Sequence, residues 1–393
     1  MLSTLIDNTR PRRSEGLVEA KPSRIISVDV LRGFAIFWIV GGDGIAWSLR
    51  DMSRNSTAVV AEIGEFIGDQ FHHAPWEGFR FYDLIFPLFI FTTGVAIPLS
   101  LKRLVEREGS LTATLRVLRR SVLLFVLGLV YYGGASSLWP HVRLLGVLQR
   151  IAICYLLASI LFLSFGVRGL LATIAIVLVG YWALLTFVPV PGIGAGSYEK
   201  SANLAFWVDQ NYLPGKKWAG NWDPEGLLST LPAAATCLIG VIAGLALMRQ
   251  EINSQKKSLY LIFGGAIMVA SGYLWGLQFP IIKGIWTSSF VLVAGGYSLI
   301  LLGAMHQLID VWHVRRWSIV FVWIGANAVT IYFLNNVIYF EGFANRFVGG
   351  DIAAFFDNAI ASGTGRLIGY AGGLTVAILI ARLLYARQIY LRV

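Results

Sequence analysis

Long apolar runs separated by short polar loops constrain this chain more than any other feature. A hydrocarbon core about 30 Å thick needs roughly 17–25 mostly apolar residues to be crossed as a helix. Ten stretches qualify: about 28–48, 79–101, 119–136, 147–166, 169–188, 226–248, 258–278, 286–306, 318–340 and 366–386. Backbone N–H and C=O groups find no water inside lipid, so each run is expected to be helical. With 56% hydrophobic and 14% charged residues, against about a quarter charged in ordinary soluble domains, a soluble globular fold is excluded. The expected class is an all-α integral membrane protein, a polytopic bundle of about ten transmembrane helices.

Lysine and arginine positions orient the bundle. Nineteen of them, from Arg10 to Arg24, Lys102 to Arg120, and then Arg168, Arg249, Lys256, Lys257, Arg315, Arg316, Arg387 and Arg392, fall on one side. Eight fall on the other: Arg50, Arg54, Arg143, Lys200, Lys216, Lys217, Lys283 and Arg346. The positive-inside rule then predicts both termini in the cytoplasm. Residues 1–27 form a cytoplasmic N-terminal segment on this reading, and 28–393 the transmembrane domain, with outer loops at about 49–78, 189–225 and 341–365. The polar start holds no short apolar stretch with a small-residue cleavage site, so no cleaved signal peptide is expected. The net charge of +10 is explained as a topology signal, and no nucleic-acid partner is implied. Cys154 and Cys237 lie inside apolar runs and read as packing residues.

Ionisable groups entering a bilayer are costly and mark functional sites. One loop concentrates them: Gln70-Phe71-His72-His73-Ala74-Pro75-Trp76-Glu77-Gly78, followed by an apolar run that still carries Asp83. A neutral His73 can take a proton near pH 7 or attack an acyl group. Glu77 can tune or orient it, being four residues away on one face if the segment were helical, although Pro75 favours a turn. Asp43, within Gly41-Gly42-Asp43-Gly44, can bind a sugar hydroxyl or an amine, pair with His73, or sit at the interface as a solvated acid. Asp29 and Arg32 stand three apart and suit an intrahelical pair. Arg143 and Arg150 flank Leu144 to Gln149, and Arg150 needs either an anionic ligand or an acid on another helix. Asn327, Asn335 and Asn336 suit interhelical hydrogen bonds. The basic loop from Lys102 to Arg120 fits anionic lipid headgroups or a nucleotide's phosphates. The 189–225 loop, with Trp207, Tyr212, Trp218 and Trp222, suits a cover over an outward pocket or an interfacial aromatic belt. No phosphate-cradling glycine loop and no paired-histidine metal motif occur, so neither ATP hydrolysis nor a metal is expected.

Five short strings then resemble one family in order. Ser27-Val28-Asp29-Val30-Leu31-Arg32-Gly33 looks like the opening signature of membrane acyltransferases related to heparan-α-glucosaminide N-acetyltransferase. His73-Ala74-Pro75-Trp76-Glu77-Gly78 resembles their H-x-x-W-x-G, and Asp83-Leu84-Ile85-Phe86-Pro87 their D-L-x-F-P. Arg143 to Arg150 is similar to their R-x-x-G-V-L-Q-R, and Asp223-Pro224-Glu225-Gly226 to a further D-P-E-G. From about residue 250 onward only hydropathy and length match. The resemblance leaves out the family's large luminal N-terminal extension, and Asp43 and Asn335 stand where an asparagine and a histidine are expected.

The resemblance implies transfer of the acetyl group of cytoplasmic acetyl-CoA, across the membrane, to an amino sugar or glycan end outside, without a metal. It makes His73 the active-site histidine, with Asp43 and Glu77 as catalytic partners. Trp76, Asp83, Asp223, Glu225 and Asn335 are then candidates for the acceptor site. Arg32, Arg120, Arg143, Gln149 and Arg150 are candidates for the donor. Membrane lipids and a homodimer are the other expected partners, and a bacterial cytoplasmic membrane with a periplasmic active site is the expected location. A permease for an amino sugar or N-acetylglucosamine is the alternative, and a scaffold whose polar residues only join helices is a third reading.

Overall fold

The computed structural model describes residues 25–54, 56–134 and 136–390. Most of the expected N-terminal cytoplasmic segment, through residue 24, lies outside the described residues.

Among the described residues the architecture is helical throughout. The first apolar run is α1 (Ile26–Phe37) and α2 (Asp43–Ser53), joined through a widened turn at Trp38–Gly42. There Gly41 takes φ +151°, a backbone that a side chain would oppose. The outer segment contains a short helix, α3 (Ala58–Gln70). Next comes α4 (Phe81–Tyr131), whose 51 residues would be about 75 Å long if straight, more than twice the ~30 Å core. Gly109, at φ +84° and ψ 165°, breaks it, and residues of both arms, Ala96 to Leu104 and Arg116 to Leu124, line one cavity.

The remaining long helices are α5 (Val147–Ser164), α6 (Val167–Phe187), α8 (Thr230–Met248), α9 (Ser254–Gly276) and α10 (Ser288–Met305), with α7 (Leu204–Tyr212) lying in the loop before α8. The expected run 318–340 is not one helix. It is α11 (Ile319–Ala326) and α12 (Ala328–Ile338), bent by 72° at Asn327. Two short helices, α13 (Phe340–Val348) and α14 (Asp351–Ala359), occupy the expected 341–365 loop before α15 (Thr364–Ala386) closes the bundle.

Eight of the described helices are long and apolar enough to cross a membrane, nine if the bent pair forms one span. The difference from ten lies in α4, which the sequence reading divides into 79–101 and 119–136. The protein is a polytopic helical membrane bundle.

Helix packing follows the small residues, as expected where lipid removes any hydrophobic drive between helices. A Cβ on Gly33 of α1 would collide with the Phe321 carbonyl of α11, and one on Gly325 with the Asp29 carbonyl of α1. Gly94 of α4 and Gly240 of α8 make the same kind of backbone approach to each other's helices. A second apolar cluster sits under the loops beside α7: Tyr181, Leu204, Phe206, Trp222, Phe279 and Ile282, with Trp76 packed against it. This cluster joins three sequence-distant loops, and the candidate site forms at their junction.

Candidate active site

His73 lies in the non-helical turn between α3 and α4, with α4 beginning only at Phe81. The first amides of a helix have no intrahelical acceptor, and Asp83, in the first turn of α4, serves them. Its Oδ2 accepts the N–H groups of Ala74 and Arg80, each at 3.1 Å, and its Oδ1 lies 2.8 Å from His73 Nδ1. Asp83 is fully buried (0% exposed), whereas 52% of the His73 side chain is open to solvent. An ionised carboxylate only accepts hydrogen bonds, so Nδ1 carries the imidazole proton and Nε2 keeps the lone pair. A buried acid thus holds the ring in one tautomer, with Nε2 as its basic nitrogen.

Lys283 completes the cluster. Its Nζ lies 2.9 Å from His73 Nδ1 and 3.2 Å from Nε2, and 3.5 Å from Asp83 Oδ1. The loop between α9 and α10 that delivers it is braced on both sides. Gly78 N–H donates to the Ile281 carbonyl at 2.9 Å, and Glu77 and Ile282 form an isolated backbone bridge. Thr287 Oγ1 donates to the Pro280 carbonyl at 2.8 Å and accepts from Ile282 N–H at 3.0 Å. Desolvation of the enclosed part of the ring, joined by the Lys283 charge, lowers the His73 pKa from 6.5 against the upward pull of Asp83. Burial also lowers Lys283 below the ordinary lysine value. Both the enclosure of the ring and the neighbouring ammonium favour the unprotonated imidazole.

Asp43 reaches this cluster through an intermediary. The Tyr82 ring lies 4.9 Å from the imidazole, and its hydroxyl donates to Asp43 Oδ2 at 2.8 Å. Among the described residues no hydrogen bond or ion pair joins Glu77 to His73; its backbone is engaged by Ile282 and the residue is exposed. Trp76 anchors the turn, its Nε1 donating to the Tyr198 carbonyl at 2.9 Å and its ring meeting Phe206 and Trp222 edge-on. The 189–225 loop, to which those partners belong, therefore packs directly on the histidine turn. His72 turns away, its Nδ1 2.9 Å from the Gly68 carbonyl.

Asp223, Glu225 and Arg143 satisfy one another. Arg143 donates to Asp223 Oδ2 and Oδ1 at 2.8 and 2.6 Å, and to Glu225 Oε2 at 2.7 Å, with its guanidinium over Tyr132 and Trp218. Beneath them, Asp209 accepts Leu227 N–H at 2.9 Å, and burial pushes its carboxyl up to about 6. Arg150 is buried over the Trp286 ring and donates to Ser229 Oγ and to the Gly226 carbonyl. Gln149 Nε2 donates to the Arg143 carbonyl at 3.5 Å. Asn335 is half-buried in α12, and no hydrogen bond among the described residues joins it to His73.

The middle of α4, around the Gly109 break, is built differently. A cavity of about 700 Å³ is lined by Arg32, Arg103, Arg107, Arg116, Arg119 and Arg120, and reaches inward to Phe89 and Asn327. Arg116 is engaged by Glu108 at 2.8 Å, and Arg32 by Asp29 at 3.9 Å. Asn327 sits at the α11–α12 break, where among the described residues neither of its side-chain amide atoms has a hydrogen-bond partner, and Arg120 Nε has none either. Along α4, Arg103 is about 30 Å from Asp83 by helical rise, while Phe89 is only about 9 Å from it. Of the five residues expected at a donor site, the structure brings Arg32 and Arg120 to this cavity and places Arg143, Gln149 and Arg150 near the opposite loops. Among the described residues, no cluster of three His, Cys, Asp or Glu side chains is placed to hold a metal ion.

Lys283 was legible in the sequence only as one outer positive charge. Its separation of 210 residues from His73 leaves no local pattern to find. Tyr82 had a weak signal, as a polar tip next to Asp83 at the start of an apolar run.

A family model described as a domain of unknown function (DUF5009) matches residues 24–203. Heparan-alpha-glucosaminide N-acetyltransferase of Homo sapiens is 26% identical, with 80% of this chain and 53% of that protein covered. The Mus musculus protein of the same name is 25% identical, covering 68% of this chain and 49% of its own length. The chain thus spans about half the length of the relatives it matches. A match over 80% of 393 residues also extends past residue 250, into the half where no family motif was recognised. These similarities amount to family-level homology.

Proposed function

Starting from that homology to membrane N-acetyltransferases, we propose that this chain moves the acetyl group of acetyl-CoA from the arginine-lined end of the bundle to the amine of an amino sugar at the His73 end. One observation carries the reading. An arginine-lined cavity at the middle of α4 and an oriented imidazole at its start stand about 30 Å apart by helical rise, from Arg103 to Asp83, and the cavity extends along that helix to Phe89.

Arg103, Arg107, Arg119 and Arg120 would hold the phosphates of the donor through charge-assisted hydrogen bonds. The Asn327 amide, with its donor and acceptor both unengaged, would face the amide-bearing arm. Acetyl-CoA supplies an acyl group already activated as a thioester. Either His73 Nε2 takes the proton of the acceptor amine as that amine attacks the thioester carbon, the C–S bond breaks and coenzyme A leaves as the thiolate, or Nε2 itself attacks, coenzyme A leaves, and the amine then displaces the imidazole from the acetyl group. Both routes need Nε2 unprotonated, which the lowered pKa favours. Asp83 keeps the ring aligned, and Asp43 with Tyr82 offers hydrogen bonds to the sugar. By the lysine and arginine distribution, the arginine end faces the cytoplasm and the His73 end faces the periplasm of a bacterial inner membrane.

The test uses purified protein in lipid vesicles, with labelled acetyl-CoA on the arginine side and glucosamine on the other, and His73→Ala in parallel. Labelled N-acetylglucosamine from the unsubstituted protein alone is the expected result. Unmodified sugar crossing the membrane with no acetylated product would overturn the reading in favour of a permease.

A further inference from the structure

We infer that Lys283 is a positioning residue for His73: its ammonium balances the Asp83 carboxylate and keeps the imidazole an unprotonated base. The inference rests on the catalytic role proposed for His73 and extends it to a residue 210 positions away.

The electrostatic argument begins with the dyad. A buried carboxylate bonded to Nδ1 stabilises imidazolium, so Asp83 alone would raise the pKa of His73 and reduce the fraction of free base. An ammonium within hydrogen-bond distance of both ring nitrogens acts in the opposite sense. It is also 3.5 Å from Asp83 Oδ1, so the three groups form a closed triangle in which one negative charge already has its cation. Adding a proton to His73 would then place two positive charges beside one carboxylate.

The surroundings leave this balance to few groups. Asp83 faces the imidazole from α4, and Lys283 faces it from the α9–α10 loop. Tyr82, also from α4, presents its ring and bonds Asp43. His72 is the neighbouring titratable group in the turn, and Glu225 lies within electrostatic range of Lys283. The loop holding Lys283 is fixed by Thr287, by the backbone bridge to Glu77, and by Tyr181, whose hydroxyl donates to the Ile285 carbonyl at 2.5 Å. A lysine on an unbraced loop would retreat to water. Here the loop geometry keeps the charge at the ring.

The test reads His73 without requiring turnover. The full chain in detergent is treated with diethylpyrocarbonate across a pH series, and carbethoxylation at His73 is followed by mass spectrometry. Lys283→Gln is expected to move the His73 midpoint up by about one pH unit, while Lys283→Arg, which keeps the charge, leaves it in place. Asp83→Asn moves it down, which tests the same balance should Lys283→Gln fail to fold. The acid limb of acetyl transfer shifts in the same directions. Unchanged midpoints in folded Lys283→Gln, or no fall in Asp83→Asn, would overturn the inference. Shifted midpoints in proteins that transfer no acetyl group would instead refute the proposed function and leave the charge balance standing.

Discussion

Asp83 has two tasks that one carboxylate can perform because its oxygens point to different partners. One closes the histidine turn onto the start of α4, and the other fixes the imidazole tautomer. Asp83→Asn retains a similar shape but can present an N–H where Nδ1 requires an acceptor. Its kcat is expected to fall by about 100-fold or more with little change in acceptor KM, measured by steady-state acetyl transfer. Glu77→Gln serves as the control and is expected to leave kcat nearly unchanged, because Glu77 contributes backbone rather than side chain to the site. The pH dependence belongs to the same scale. If His73 is the base, its lowered pKa predicts that kcat/KM declines on the acid side as the imidazole protonates, with a midpoint below that of an ordinary histidine. A midpoint above that of an ordinary histidine would contradict the assignment.

At the scale of elements, the crossing of α1 and α11 governs the wall of the arginine cavity. Gly33 and Gly325 allow the two backbones to touch, and Gly325 and Asn327 line the cavity at the break that follows. Gly33→Ala would place a methyl group against the Phe321 carbonyl, and overpacking of this kind costs about 1–3 kcal/mol. Thermal unfolding in detergent should show a lower Tm, together with a raised KM for acetyl-CoA and an acceptor KM close to normal. The breaks themselves differ in how far sequence reveals them. Gly109 lies between two apolar runs, so a turn there was already implied by the spacing of 79–101 and 119–136. Asn327 interrupts a single continuous apolar run, and nothing local marks a 72° bend. The α13–α14 segment was read as loop because nine-residue helices are too short to leave a secure periodic pattern.

For the whole molecule, the proposed function places donor and acceptor chemistry on opposite sides of one bundle, so that the two could meet without either crossing the bilayer intact. On that proposal, the charge asymmetry that orients the chain would also supply the donor's anchoring cations. Joint substitution of Arg119→Ala and Arg120→Ala is expected to raise the acetyl-CoA KM about tenfold, a loss near 1.4 kcal/mol, with kcat little altered. Added salt should raise the KM of the unsubstituted protein more than that of the variant, because these cations are open to screening. Equal KM values in both proteins would locate the donor elsewhere.

The sequence by itself determined that this chain is a bundle of membrane helices, because lipid offers the backbone no partner but itself over a stretch of about twenty residues. It also singled out the His73 turn, since ionisable groups beside an apolar run carry an energetic cost that demands a reason. Only the tertiary structure decided which charges meet there. Pro75 and the late start of α4 direct Asp83 toward the imidazole and leave Glu77 paired through its backbone to Ile282. Lys283 arrives from the α9–α10 loop because the apolar cluster around Trp76, Phe206 and Ile282 pulls three distant loops together. Electrostatic partnership depends on separation in space at the scale of a few ångströms, and for residues 210 positions apart that separation exists only in the fold.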